Sequence, residues 1–116
     1  MKNQELRDRT KQLALRVVKM VAQLPKQRDA DVIAKQVLRS ATSVAANYRE
    51  ASRARSDAEL ISKLGIVEQE LDETLLWFEL LVESGIVHAD RMSELFDETE
   101  QLLKMMVTAL KTLKSK

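Results

Sequence analysis

The stretch QVLRSATSVAANYREASRARS, residues 36–56, decides the fold. It contains neither Gly nor Pro, and its apolar or small positions return every three or four residues: Val37, Ser40 or Ala41, Val44, Tyr48, Ala51. That return time is the period of one face of an α-helix. Ile33 extends the stripe backwards to Asp29, an N-cap residue type, so the spacing predicts a helix over 29–55. The centre of the stretch is slim, yet Arg39, Arg49, Arg53 and Arg55 crowd it. A helix both slim and charged has two occupied faces, one against its own chain and one against something else.

The same reading extends in both directions. Upstream, Leu6, Leu13, Val17, Met20, Val21 and Leu24 share a stripe, and Pro25 stops it because proline removes a donor and disfavours helical geometry at Leu24. Downstream, Ser56 followed by Glu59 is a capping-box pattern. The next helix, 57–84, carries Leu60, Leu64, Val67, Leu71, Leu75, Phe78 and Val82, and Gly85 ends it by adopting a left-handed conformation. A fourth helix starts between His88 and Asp90 and presents Met92, Leu95, Phe96, Leu102, Met106, Ala109 or Leu110, and Leu113. The four spans are approximately 4–24, 29–55, 57–84 and 89–113. Short links between amphipathic helices make antiparallel neighbours, so the expectation is an all-α, antiparallel up-down-up-down four-helix bundle, one domain over 1–116.

Composition agrees. Two Gly, one Pro and 45% hydrophobic residues in 116 leave material for helices and little for strands or turns. There is no Cys, hence no disulfide and no thiolate chemistry. No apolar run reaches the ~18 residues of a membrane span, which predicts a cytoplasmic chain with no membrane partner. Net charge is +1, but it is unevenly placed: residues 1–56 hold thirteen Lys/Arg against five Asp/Glu, residues 57–116 six against thirteen. Two complementary surfaces, within or between chains, explain that imbalance better than a dedicated phosphate-binding face.

Removing the core stripes exposes candidate binding faces. On the second helix Lys35, Arg39, Thr42, Ala46, Arg49 and Arg53 form an outward basic ridge, and Thr42, Ser43, Ala45 and Ala46 let another backbone approach it. On the third helix LLWFELLV, residues 75–82, has one polar residue, Glu79, so Leu76, Trp77, Leu80 and Leu81 extend past the core stripe. A helix apolar nearly all round has to be covered nearly all round, which one bundle does on one side only. The bland alternative is a wide core stripe with Trp77 at its boundary. Glu68, Asp72, Glu79 and Glu83 make an acidic edge on the same helix, a match for the basic ridge of a neighbouring copy or for its own second helix.

Catalysis finds little to stand on. A di-iron bundle needs inward Glu and two Glu-x-x-His motifs, and EQELDE (68–73) supplies neither. The one histidine, His88, sits where capping or exposure is expected, so no catalytic triad can be built and there is no Gly-rich phosphate loop. The expectation is no enzyme, no cofactor and no metal. Nucleic acid is the runner-up partner: Arg7, Arg9, Lys11, Arg16 and Lys19 of the first helix join Lys35 and the basic ridge as candidate phosphate contacts. Aromatics for stacking on bases are scarce, so such binding, to RNA or DNA, would be backbone-driven and salt-sensitive.

From Leu38 to Val87 the chain resembles the bacterial four-helix-bundle proteins also called 23S rRNA intervening-sequence proteins. Ser43 through Glu50, with Asn47 and Glu50 in a small-residue Asn-x-x-Glu pattern, and Glu70-Leu71-Asp72-Glu73 through Trp77 carry the likeness. Many relatives have Pro at the position of Ala45 and Gly at that of Ala51, which implies a straighter second helix here. The resemblance implies a cytosolic homopentamer without established enzymatic activity, and a related bundle type serves reverse transcriptases as a nucleic-acid-binding accessory. With the reading above it makes Arg39, Asn47, Arg49, Glu50, Arg53, Glu68, Asp72, Leu76, Trp77 and Leu80 the candidates for an interface between copies.

Overall fold

A computed structural model describes residues 3–116. Four helices follow one another, α1 (Asn3–Ala22), α2 (Arg28–Ala51), α3 (Asp57–Glu83) and α4 (Ala89–Lys114), and they form the expected up-down-up-down bundle with no strand among the described residues. Its extents are 47 × 21 × 19 Å. The long axis fits a 27-residue α3, which at 1.5 Å per residue spans about 40 Å. Contact is densest between α2 and α3 and sparsest between α1 and α4 among neighbouring helices; α1 and α3 occupy opposite corners, their backbones not approaching each other.

Local chemistry sets the ends. α1 stops three residues before Pro25, its chain turning through Gln23 N–H to Met20 O and Leu24 N–H to Val21 O. Gln27 and not Asp29 holds the N-cap position of α2, without a side-chain capping bond; Asp29 and Asp31 fall in its first turn, where carboxylates interact favourably with the positive end of the helix dipole. α2 also ends at Ala51, short of 55. Ser56 must be extended to cap α3 (φ −156°, ψ 161°), so the chain leaves helical geometry early, through Arg53 N–H to Glu50 O and Ala54 N–H to Ala51 O. Ser56 Oγ accepts from Glu59 N–H at 3.1 Å. Gly85 is left-handed, φ +81°, and Ile86 N–H reaches back to Leu81 O while Gly85 N–H reaches Val82 O, a Schellman closure of α3. His88 caps α4, its Nδ1 accepting from Asp90 N–H at 3.2 Å.

Buried side chains of all four helices form one core cluster, with Tyr48 and Phe78 its largest members. Most of the expected stripe residues are in it, and Ser40 and Ala41 are both buried. Met20, Val21, Leu24, Ile33, Leu60, Val82, Phe96, Ala109 and Leu113 pack against it half-buried. Leu81 corrects the sequence reading: it is fully buried and Val82 is not. Leu71, Thr74, Leu75, Phe78 and Leu81 continue the three-four rhythm, whereas Val82 lies a further 100° around the helix. Thr10, Thr74 and Thr99 are buried as well, each hydroxyl donating to the carbonyl four residues back, at 2.8, 2.7 and 2.7 Å. Thr74 also meets Ser40 across the α2–α3 seam, Oγ to Oγ1 2.8 Å.

Candidate assembly interface and basic cleft

The α2–α3 seam organises the outer apolar face. Arg39, on α2, spans two carboxylates of α3: its guanidinium donates to Glu70 Oε2 and Oε1 at 3.2 and 3.1 Å and to Glu73 Oε1 at 2.8 Å. Glu73 accepts in addition from Trp77 Nε1–H at 3.3 Å. The hydrogen bond from Arg39 holds the Glu73 carboxyl below its ordinary pKa, with Trp77 helping, and the bonds to Glu73 and Glu70 raise that of Arg39. Arg39 is therefore an internal clamp, the within-chain alternative of the sequence reading, rather than a cation free for a neighbour.

Trp77 is half-buried against the core, and the next residues outward on α3 are Leu76 and Leu80, 46% and 39% exposed. Because α2 and α3 run antiparallel, Val32, two turns before Arg39, lies level with Leu80, two turns after Glu73, and it too is exposed. The result is a greasy strip along one corner of the bundle. Beside it Asp72, Glu79 and Glu83 are exposed and Glu68 is half-buried; none makes an ion pair among the described residues. The acidic edge is thus present and unneutralised.

The basic residues do not form one surface. On α1, Arg7 and Lys11 lie one helical turn apart, while Arg9 is 200° from Arg7 and points elsewhere. Arg9 clasps α4: it donates to Glu98 Oε2 and Oε1 at 3.0 and 2.7 Å and to Gln101 Oε1 at 3.3 Å. Its hydrogen bond to Glu98 raises its pKa. Arg16 reaches Glu94 at 3.5 Å. These two cations close the sparse α1–α4 seam, so the single helix 1/helix 2 phosphate surface expected from the sequence is divided.

Arg7 and Lys11 instead face α2. With Ala45, Ala46, Arg49, Glu50, Arg53, Arg55, Glu59 and Lys63 they line an open cleft of about 570 Å³. Its acids are occupied, Glu50 by Lys63 at 2.9 Å and Glu59 by Arg55 at 3.7 Å. Arg7, Lys11, Arg49 and Arg53 have no carboxylate partner among the described residues, and the Arg7 Nε is buried without a hydrogen-bond acceptor. Lys35 is exposed on α2, and Lys19 is exposed on α1. Asn47 spends its amide on its own helix, donating to Ser43 O and Ser43 Oγ, both at 2.9 Å.

One pair escaped the sequence reading. Leu15 and Val18, on the outer face of α1, are 43% and 45% exposed. Their positions off the stripe of Leu13 and Val17 were the available signal.

Residues 2–108 match the family described as 23S rRNA-intervening sequence protein. The chain belongs to this family. A similar solved structure is that of a protein of unknown function from the S23 ribosomal protein family of Bacteroides thetaiotaomicron VPI-5482, 32% identical, covering 96% of this chain and 99% of that one with a TM-score of 0.87. No curated protein matches. The 23S rRNA-intervening sequence match covers the first three helices and most of the fourth, so the clamp, the strip and the cleft all lie inside it. No described helix is long and apolar enough to cross a membrane.

Proposed function

We propose that this chain is a non-catalytic, self-assembling bundle of the cytoplasm, and that five copies close into a ring. The number five rests on the family resemblance alone. Self-assembly is supported by one observation above the others: Leu76 and Leu80 stand exposed beside Trp77, flanked by Asp72, Glu79 and Glu83, which have no ion-pair partner among the described residues. An apolar centre inside a charged rim is the anatomy of an association surface. Cations without an ion-pair partner among the described residues stand on α1 and α2, Lys11, Lys19, Arg49 and Arg53 among them, so the rim has a complement on another copy of the same chain.

Light scattering coupled to size exclusion tests this. The expected mass is five times the 13.2 kDa protomer. Trp77→Glu is expected to give protomers, but it cuts into the half-buried packing of α3, so Leu80→Glu is the cleaner variant. It should give protomers with an unchanged far-UV circular dichroism spectrum. A wild-type chain that stays at protomer mass at high concentration would overturn the proposal.

The cleft favours a second reading, as a nucleic-acid-binding accessory. Arg7, Lys11, Arg49 and Arg53 converge without acids to pair with, over a floor of Ala45 and Ala46 slim enough to admit a sugar-phosphate backbone. Binding of a generic single strand would then weaken with salt, the log-log slope rising by about 0.7 per phosphate contacted. Arg49→Ala should lower that slope and Lys35→Ala should not. No binding at low ionic strength removes this reading.

A further inference from the structure

We infer that the surface receiving the α3 strip is the outer face of α1 on a second copy, with Leu15 and Val18 at its centre, so that copies join head to tail. This rests on the self-assembly reading and adds to it the identity of the opposing face. The two patches match in kind. Each offers two aliphatic side chains one helical turn apart, Leu76 with Leu80 and Leu15 with Val18, with comparable exposure of 39–46%. They are opposite in charge. Lys11 and Lys19 lie beside Leu15 and Val18 without an ion-pair partner among the described residues, and Asp72, Glu79 and Glu83 lie beside Leu76 and Leu80 in the same condition. Asp8, on the same outer face, accepts from the neutral Gln4 amide at 2.9 Å and keeps its charge, and Lys11 and Lys19 outnumber it two to one.

Position argues the same way. α1 and α3 sit at opposite corners of the bundle, so one protomer can give its α3 strip to one neighbour while its α1 face receives another. Two α3 strips face to face would set Asp72, Glu79 and Glu83 against their own copies, and two α1 faces would do so with Lys11 and Lys19. Like-charge juxtaposition suppresses both symmetric dimers. The unlike pairing is heterologous, the type that closes into a ring when its rotation permits.

The test uses two variants, Leu15→Glu and Leu80→Glu, each on an exposed position so that folding is retained; Val18→Glu stands in for Leu15→Glu if that chain misfolds. Each variant alone should run as a protomer. Mixed in equal amounts they should form a species of two protomers and no larger, because the mixture holds one intact α1 face and one intact α3 strip. If Leu15→Glu and Val18→Glu both assemble like wild type while Leu80→Glu does not, the inference falls and self-assembly through α3 stands. A dimer of Leu15→Glu alone would show α3 pairing with itself and also overturn the inference. Two monomeric variants that ignore each other would do the same. A monomeric wild type overturns the reading beneath it.

Discussion

Tyr48→Phe is expected to stabilise the protein. Tyr48 is fully buried, and its hydroxyl has no hydrogen-bond partner among the described residues. Burying a hydroxyl unpaired costs roughly 1–3 kcal/mol by mutational measure, while the ring itself contributes the packing that phenylalanine would keep. Removing the oxygen should therefore raise the unfolding free energy by about 1 kcal/mol, or Tm by about 4 °C for a chain of this size. The pH dependence supplies a second, independent readout. Burial pushes the Tyr48 phenol up to about 12. An unfolded tyrosine ionises near 10, so between the two values the unfolded chain has lost a proton that the native chain keeps, and raising the pH favours unfolding. Below pH 10 ionisation of this group takes nothing from stability, and the loss grows as the pH climbs towards 12. Other groups titrate there too, but the difference between wild type and Tyr48→Phe isolates this one; it should widen by about 1.4 kcal/mol between pH 8 and pH 11. Urea titrations at both pH values, at fixed protein concentration because assembly would contribute to stability, measure it. A Tyr48→Phe chain less stable than wild type by 1 kcal/mol or more, with a pH-independent difference, would show that the hydroxyl is bonded and refute the argument.

Gly65→Ala should also stabilise, by about 0.5–1 kcal/mol, because Gly65 lies mid-helix in α3 and an added Cβ meets nothing within 4 Å; a fall in urea midpoint would mean the position is covered by another copy. Thr74→Val should cost about 1 kcal/mol, since it deletes the 2.8 Å contact with Ser40 while Ser40 keeps Val37 O as acceptor. Chemical denaturation with Ser40→Ala in a double-mutant cycle gives the coupling, and additivity of the two changes would count against the bond.

The parts of this fold legible in the sequence are those decided within one helix. The stripe of Val37, Val44 and Tyr48, the Ser56 cap and the left-handed Gly85 depend on periodicity or on a few neighbouring atoms, and all are where the sequence puts them. Leu81 was misplaced because a segment apolar on every side carries no phase; only its packing partners choose which leucine goes inside. The buried threonines looked polar, yet each is satisfied by its own helix and needs nothing from the core. Arg39 illustrates the deeper limit. Whether it meets Glu70 and Glu73 of its own chain or acids of a neighbour depends on the register between α2 and α3, which periodicity does not contain. The division of Arg7 from Arg9 was legible in principle, because helical phase applies to charges as well as to leucines.

That division explains how the uneven charge of the chain is used. The basic first half and the acidic second half do cancel, but in two stages. Arg9 with Glu98, Arg16 with Glu94, Arg39 with Glu70 and Glu73, and Lys63 with Glu50 lie across the α1–α4 and α2–α3 seams, where a pair selects one helix against another. Partly exposed pairs of this kind add little stability each. Their effect is discrimination, since a bundle threaded the other way would set like charges along a seam. Part of what is left over stands at two corners: Lys11 and Lys19 beside the aliphatic pair of α1, and Asp72, Glu79 and Glu83 beside that of α3. A residue of charge kept separate, with aliphatic side chains at the centre of each pole, gives the protomer two unlike ends, and unlike ends are what directional assembly of identical chains requires.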